Sequence, residues 1–487
     1  MLVSTVLCLV SRAFFEAMRR EGWVLWAARS APALREEKSV DMAQGHQLNE
    51  GAAPRSGRRP CISEDATGRR RPLKEEQPSS RPRGLSARAA RLLGEQTIDQ
   101  NQPGTILRDF QTFVDFVGTD GLRTTGQHHL LPHTCLAELN GRMGRPLDVR
   151  LSRPQQRSYP NLEGLYLVGR ASGLIQARGS GAKGRLVVDE AMRGSWDGLN
   201  ATERYFTLLE AWLVHARPGM LGKGRGPGRE VLEDCAMLWQ SIPKKGLRLE
   251  RRRPSERYLP GIGTEFQHLA LMAMFGLAAV DKGAAVEGQP WRPTKVRRLP
   301  WGDAVFALVS DPDVWMQVMT EAEPGKVVFG RLQGVFGPFF PEWRRNLVVS
   351  GPVFRKGVFV FGVSLGNVRR RIALSAKGSL EDLAHGILNA FDFDADHLYG
   401  FTYKDRFGAT VDVSHPYCDE PPWTLDVRLG DLPLAAGEAM DFLYDFGDNW
   451  LFRVTLDRVD PPAAGFNRPV VLEAHGKAPP QYGREDW

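Results

Sequence analysis

Five cysteines in 487 residues, Cys8, Cys61, Cys135, Cys235 and Cys418, are too few, too scattered and odd in number to form a disulfide framework, and no paired C-x-x-C gives zinc-ligand spacing. Such usage suits a reducing compartment, and a cytoplasmic protein is expected. Long apolar runs are also missing. The longest uncharged apolar stretch, Leu269 to Val280, and the opening MLVSTVLCLVS both fall short of the roughly 20 residues a spanning helix needs, so no membrane association is expected. The opening has neither a basic n-region nor a small-residue cleavage site, so it is not read as a signal peptide, and Met42 is a second candidate start. No P-loop, G-x-S-x-G or H-E-x-x-H occurs, and no cofactor is supported by a specific motif. No catalytic residue is assigned on these grounds.

What is present is charge, unevenly placed. The total is +7, from 64 Lys plus Arg against 57 Asp plus Glu. Residues 1–96 carry net +6, residues 97–380 net +13 and residues 381–487 net −12. Four regions follow from this and from hydrophobic periodicity. Residues 1–96, rich in Arg, Pro, Ser and Gly from residue 30 on, cannot bury enough apolar surface to offset chain entropy and are expected to be a disordered basic extension. Residues 97–240 and 241–345 form a basic, mainly helical body, and residues 346–487 an acidic α+β domain. The overall class is α+β.

In the body, Leu107, Phe110, Val114 and Val117 make a helical stripe. A second helix is expected from a cap at Asn161 to a stop at Gly173, and a third from Asn200, with Glu203 completing a capping box. Between them, Leu174–Ala177 and Leu186–Val188 flank a glycine-rich basic tip and read as a hairpin. Helix plus basic hairpin admits a winged-helix reading, with Arg170 on the helix and Arg178, Lys183 and Arg185 on the wing touching phosphates. The competing reading is a helical domain with a solvated hairpin, favoured by the roughly 20-residue gap before the second helix, where a turn of about 3 to 4 is usual. Farther on, Arg251, Arg252 and Arg253 lie in a stretch, Lys244 to Pro300, of net +7. This stretch flanks an apolar helix expected over Phe266–Val280, with Trp291 and Trp301 as either base-stacking or core residues.

The C-terminal part has the clearest pattern. VFVFGVSLG and VRRRIALS read as strands, and Ser379 with Asp382 opens a helix striped by Leu380, Leu383, Ala384, Ile387, Leu388 and Phe391. LDVRL alternates as a strand does. DFLYDFGDNWLFRVTLDRV reads as a hairpin turning through Gly447, Asp448 and Asn449. A mainly antiparallel sheet with a helix packed on it is expected.

VSLGNVRRRIALSAKGSLEDLAHGILNAFDFDADHLYGF, YDFGDNWLFRVTL and APPQYG resemble the ORF-three-like family first named from a root-inducing plasmid, some members of which are described as the resolvase-like passenger of an insertion element. RPQQRSYPNLEGLYLVGRASGL and LNATERYFTLLEAWL are similar to long members, which would extend the likeness over most of residues 97–487. The resemblance implies a mobile-element or plasmid-associated protein, and it implies the fold more than an activity. Departures are specific. Family members often show HLHEF where this chain has His397 Leu398 Tyr399 Gly400 Phe401. A Trp followed two residues on by His becomes Trp450 and Phe452, and cysteine-flanked Pro-Pro-Glu-Asp becomes Pro479 Pro480 Gln481 Tyr482. If those positions form a site elsewhere, this chain keeps only His397, Asp445 and Asp448.

Asp392, Asp394 and Asp396 have the first spacings of a calcium loop, but His397 and Tyr403 stand where Gly and Glu are required. A looser metal set, Asp394, Asp396, His397, Asp445 and Asp448, stays open, as does local capping by these aspartates. His128, His129, His133 and Cys135 admit a metal site or a plain loop. Serine and tyrosine recombinase constellations are both missing. The leading expectation is non-enzymatic nucleic-acid or protein binding, DNA through residues 97–345 and a protein partner through the acidic domain. A metal-dependent hydrolase or strand-transfer enzyme, and a scaffold without a nucleic-acid role, are the alternatives.

Overall fold

The computed structural model describes residues 85–179, 183–223, 230–249, 259, 265–319, 327–349, 354–419 and 421–482. Most of the basic extension, and Arg251, Arg252 and Arg253, lie outside the described residues. Its last stretch departs from expectation. Ala87–Glu95 is a helix, α1, capped by Ser86 and anchored by fully buried Leu93. A single buried leucine was too little periodicity to reveal it.

The body contains a similar arrangement twice, the second without a counterpart of α3 among the described residues. In the first copy, α2 (Ile106–Val117) leads through Gly121 to β1 (Leu122–Arg123), then α3 (His133–Arg142), α4 (Pro160–Ala171) and the hairpin β2 (Ile175–Arg178) and β3 (Arg185–Val188). Helices α5 (Glu190–Asp197) and α6 (Ala201–Glu210) follow. In the second copy, α7 (Val231–Ser241) leads through Gly246 to β4 (Leu247–Arg248), then α8 (Phe266–Met274), β5 (Ala278–Lys282) and β6 (Pro293–Arg298), with α9 (Pro300–Val309) and α10 (Pro312–Met319) after them. Both sheets are antiparallel with the first strand paired to the third, in orders β1-β3-β2 and β4-β6-β5.

The correspondence extends to single bonds. Gly173 and Gly276, at φ 77° and 71°, end α4 and α8 in the left-handed region. Immediately after them, Leu174 and Leu277 accept backbone bonds from Asp189 and Leu299, each 2.9 Å long. Gly-Leu-Arg opens the sheet in both copies, its Leu-Arg being β1 or β4. Helices α4 and α8 pack on each other so closely that a Cβ on Gly164 would lie 2.8 Å from Leu271 Cγ.

Two expectations change, and one open choice is resolved. Pro160 opens α4, so Asn161 lies inside the helix and donates to Asn140 Oδ1 instead of capping. The apolar run 266–280 is a helix only to Met274. Gly276 breaks it, and the remainder turns back as β5. Trp291 and Trp301 are buried, the latter donating to Tyr205 Oη, so neither is placed to stack on a base.

After the short helix α11 (Gln333–Phe336), a seven-stranded antiparallel sheet is built from β7 (Val358–Leu365), β8 (Val368–Ser375), β9 (Tyr399–Lys404), β10 (Thr410–Ser414), β11 (Ala439–Tyr444), β12 (Trp450–Asp460) and β13 (Val470–His475). Its order is β10-β9-β11-β12-β7-β8-β13. Helix α12 (Leu380–Phe391) lies on one face, its expected stripe fully buried and its capping box formed by Ser379 and Asp382. The β11–β12 hairpin pairs Tyr444 with Trp450 and buries Phe442, Phe452, Val454 and Leu456 as the alternation predicts. LDVRL is not a strand: Arg428 makes one isolated bridge to Ser379, and Leu429 enters a short 3-10 turn.

One hydrophobic core fills the body and a second fills the C-terminal sheet. Phe407, at the tip of β9–β10, belongs to the body's core. Residues 82–487 accordingly form one compact unit.

Candidate nucleic-acid interface

The β1–β3–β2 sheet sets three arginines in one line. Antiparallel register pairs Arg123 with Arg185 and Arg185 with Arg178, and directly paired residues project from the same face. Their neighbours Leu122 and Leu186 turn inward, which forces the arginines outward, and all three are exposed. Lys183, exposed at the tip of the same hairpin, adds a fourth charge. Arg185 donates to the Asp120 carbonyl at 2.8 Å and Arg178 to Gln176 Oε1 at 3.4 Å, neutral acceptors that leave both charges uncompensated. Among the described residues, no carboxylate forms an ion pair with Arg123, Arg178 or Arg185. The sequence points to Arg178, Lys183 and Arg185 as candidates but not to Arg123, because a two-residue strand leaves no periodicity to detect.

Arg170 is elsewhere. It is buried, donates to Tyr166 Oη at 3.1 Å, and packs on Gly408 so tightly that a Cβ there would lie 2.1 Å from its Nη2. Every residue of α4 is buried with it, so the helix that precedes the hairpin offers no face to a groove. The covering element is the β9–β10 tip. Asp405 Oδ1 accepts from the Phe407 and Ala409 amides at 2.9 and 2.8 Å, and the turn so formed seats Phe407 against Gly173 and Gly408 against Arg170. Burial pushes the Asp405 carboxyl up, while the turn's amides and Arg170 oppose that shift.

The C-terminal metal set is brought only partly together. His397 Nε2 lies 3.7 Å from both Asp396 and Asp445. Asp396 accepts from Tyr444 Oη at 2.9 Å and Tyr482 Oη at 2.6 Å, and these bonds hold its carboxyl below the usual range. Asp445 Oδ1 accepts from the Gly447 and Asp448 amides, shaping the hairpin turn. No bond joins the Asp394 or Asp448 carboxylate to this group. Among the described residues, no three His, Cys, Asp or Glu side chains are arranged to hold a metal. That includes the HHLLPHTC stretch: the His128 and His129 carbonyls accept from Tyr166 Oη, and Cys135 donates to the Pro132 carbonyl.

This sheet, helix and YDFGDNW hairpin fall in the stretch that is similar to known proteins. Residues 362–482 match the family of plasmid pRiA4b ORF-3-like proteins. The matched span lies within the C-terminal sheet region and does not include the body. An uncharacterized protein, y4hQ, of Sinorhizobium fredii is 31% identical to this chain over 125 residues, which is 25% of this chain. The chain spans 61% of that relative's length. A solved protein of unknown function, MM3350 from Methanosarcina mazei Go1, shares 23% identity over 26% of this chain and 74% of its own, with a TM-score of 0.24. Among the described residues of the ORF-3-like segment and the body, no helix is long and apolar enough to cross a membrane.

Proposed function

We propose that this chain is a non-enzymatic nucleic-acid-binding protein that grips phosphates with the outer face of the β1–β3–β2 sheet, and that the ORF-3-like segment is a module latched onto the same unit. The row of Arg123, Arg185 and Arg178 carries this reading. Like charges directly opposed across strands destabilise a sheet, by up to roughly 1 kcal/mol per pair. A row kept exposed without carboxylates fits a partner that supplies the negative charge. The order of elements, helix, strand, two helices and hairpin with the last strand paired to the first, favours a winged helix, with β2–β3 as the wing.

Burial of α4 removes the usual reader of base edges. Contact through the wing alone is therefore backbone contact, largely independent of sequence. Fluorescence anisotropy with labelled duplex DNA at low salt tests this. The Arg123→Ala/Arg178→Ala/Arg185→Ala chain is expected to bind at least about tenfold more weakly, and two unrelated duplex sequences to bind the wild-type chain alike. A triple variant that binds like wild type overturns the proposal.

A further inference from the structure

We infer that the second copy in the body carries its own phosphate-binding face, on the outer side of the β4–β6–β5 sheet, and that Asp281 restrains it. This rests on the reading of the first row as a phosphate site. The two sheets correspond position by position. Arg248 pairs with Lys295 as Arg123 pairs with Arg185, and Asp281 pairs with Lys295 where Arg178 pairs with Arg185. Two of the three positions thus keep a cation, and the third carries the opposite charge.

Arg297, two residues beyond Lys295 and so on the same face, reaches Asp281 at 3.4 Å, with both side chains about half exposed. In the turn before β4, Lys244 and Lys245 stand where Thr119 and Asp120 stand before β1. Lys244, Lys245, Arg248 and Arg297 are all exposed. The face therefore presents five cations, counting half-buried Lys295, against one carboxylate. These charges lie along the paired strands β4 and β6 and the turn before β4, so they suit an extended polyanion with repeating charge, a second stretch of nucleic-acid backbone.

The experiment measures the slope of log K against log salt for the full chain with duplex DNA. Three versions are compared with wild type: Lys244→Ala/Lys245→Ala/Arg248→Ala, the triple arginine variant of the first sheet, and Asp281→Asn. Each phosphate contact contributes about 0.9 to the slope on duplex DNA. The second-sheet triple is expected to flatten the slope by between about 2 and 3. Asp281→Asn is expected to tighten binding a few-fold and steepen the slope by about 1, a gain that damage to the fold would not produce. If the first-sheet triple flattens the slope while the second-sheet triple and Asp281→Asn leave it unchanged, the second face is refuted and the first reading stands. If none of the three alters it, both readings fall.

Discussion

Two buried glutamates on α6 act as clamps. Glu210 accepts from the Gly330, Arg331 and Leu332 amides, and Glu203 from the Arg344 and Arg345 amides as well as from Asn200 in the capping box. Truncating Glu210 leaves three amides without an acceptor, so Glu210→Ala is expected to lower unfolding free energy by about 3 kcal/mol in denaturant titration. Glu203 adds a pH dependence. Burial alone would raise its pKa, but the amide bonds and Arg345 hold it below the model-compound value of 4.5. The unfolded chain therefore takes up this proton at higher pH than the native one, and the carboxylate's contribution, complete above about pH 4.5, is lost as pH falls through the native value. Denaturation midpoints should drop on acidification below that point, and less steeply in Glu203→Gln. The Asn200–Glu203 and Ser379–Asp382 boxes were legible because their partners are three residues apart. The burial of Arg170 was not, because its cover, Gly408, is distant in sequence and only the tertiary fold brings it near.

At the level of elements, alternation and helical stripes served well wherever one face is buried, as in β11, β12 and α12. They failed where length or context decides. An unbroken apolar run such as 266–280 suits a buried helix or a strand equally, and a glycine at positive φ settled it. The duplication escaped notice because few identities survive beyond Gly-Leu-Arg and the turn glycines. The β9–β10 tip is the element that ties the ORF-3-like segment to the body. Phe407 is buried in a core otherwise made of residues before 350. Phe407→Ala should cost about 3 kcal/mol and replace one calorimetric transition by two, since the sheet keeps its own core. A single transition of unchanged midpoint would show that the tip contributes no coupling.

For the whole molecule, the contrast between a basic body and an acidic end softens once the charges are assigned to folded parts. Counted from residue 346, the C-terminal part carries 14 basic and 20 acidic side chains, net −6 rather than the −12 counted from residue 381. The difference is six basic residues, Arg355 and Lys356 before β7, Arg369, Arg370 and Arg371 on β8, and Lys377 after it. On β8, Arg371 pairs with Asp457 and Glu473, so its charge is offset within the sheet, while buried Arg370 donates to the Ala390 and His475 carbonyls. Part of the body's charge, by contrast, sits on the outer faces of two small sheets, and the central claim is that the first of these holds phosphate. The most direct measurement is the salt dependence of duplex binding by the wild-type chain and by the triple Arg123, Arg178 and Arg185 alanine variant. The account predicts that the variant's slope of log K against log salt is shallower by about 2.7, three contacts at about 0.9 each. Equal slopes for the two proteins would contradict it.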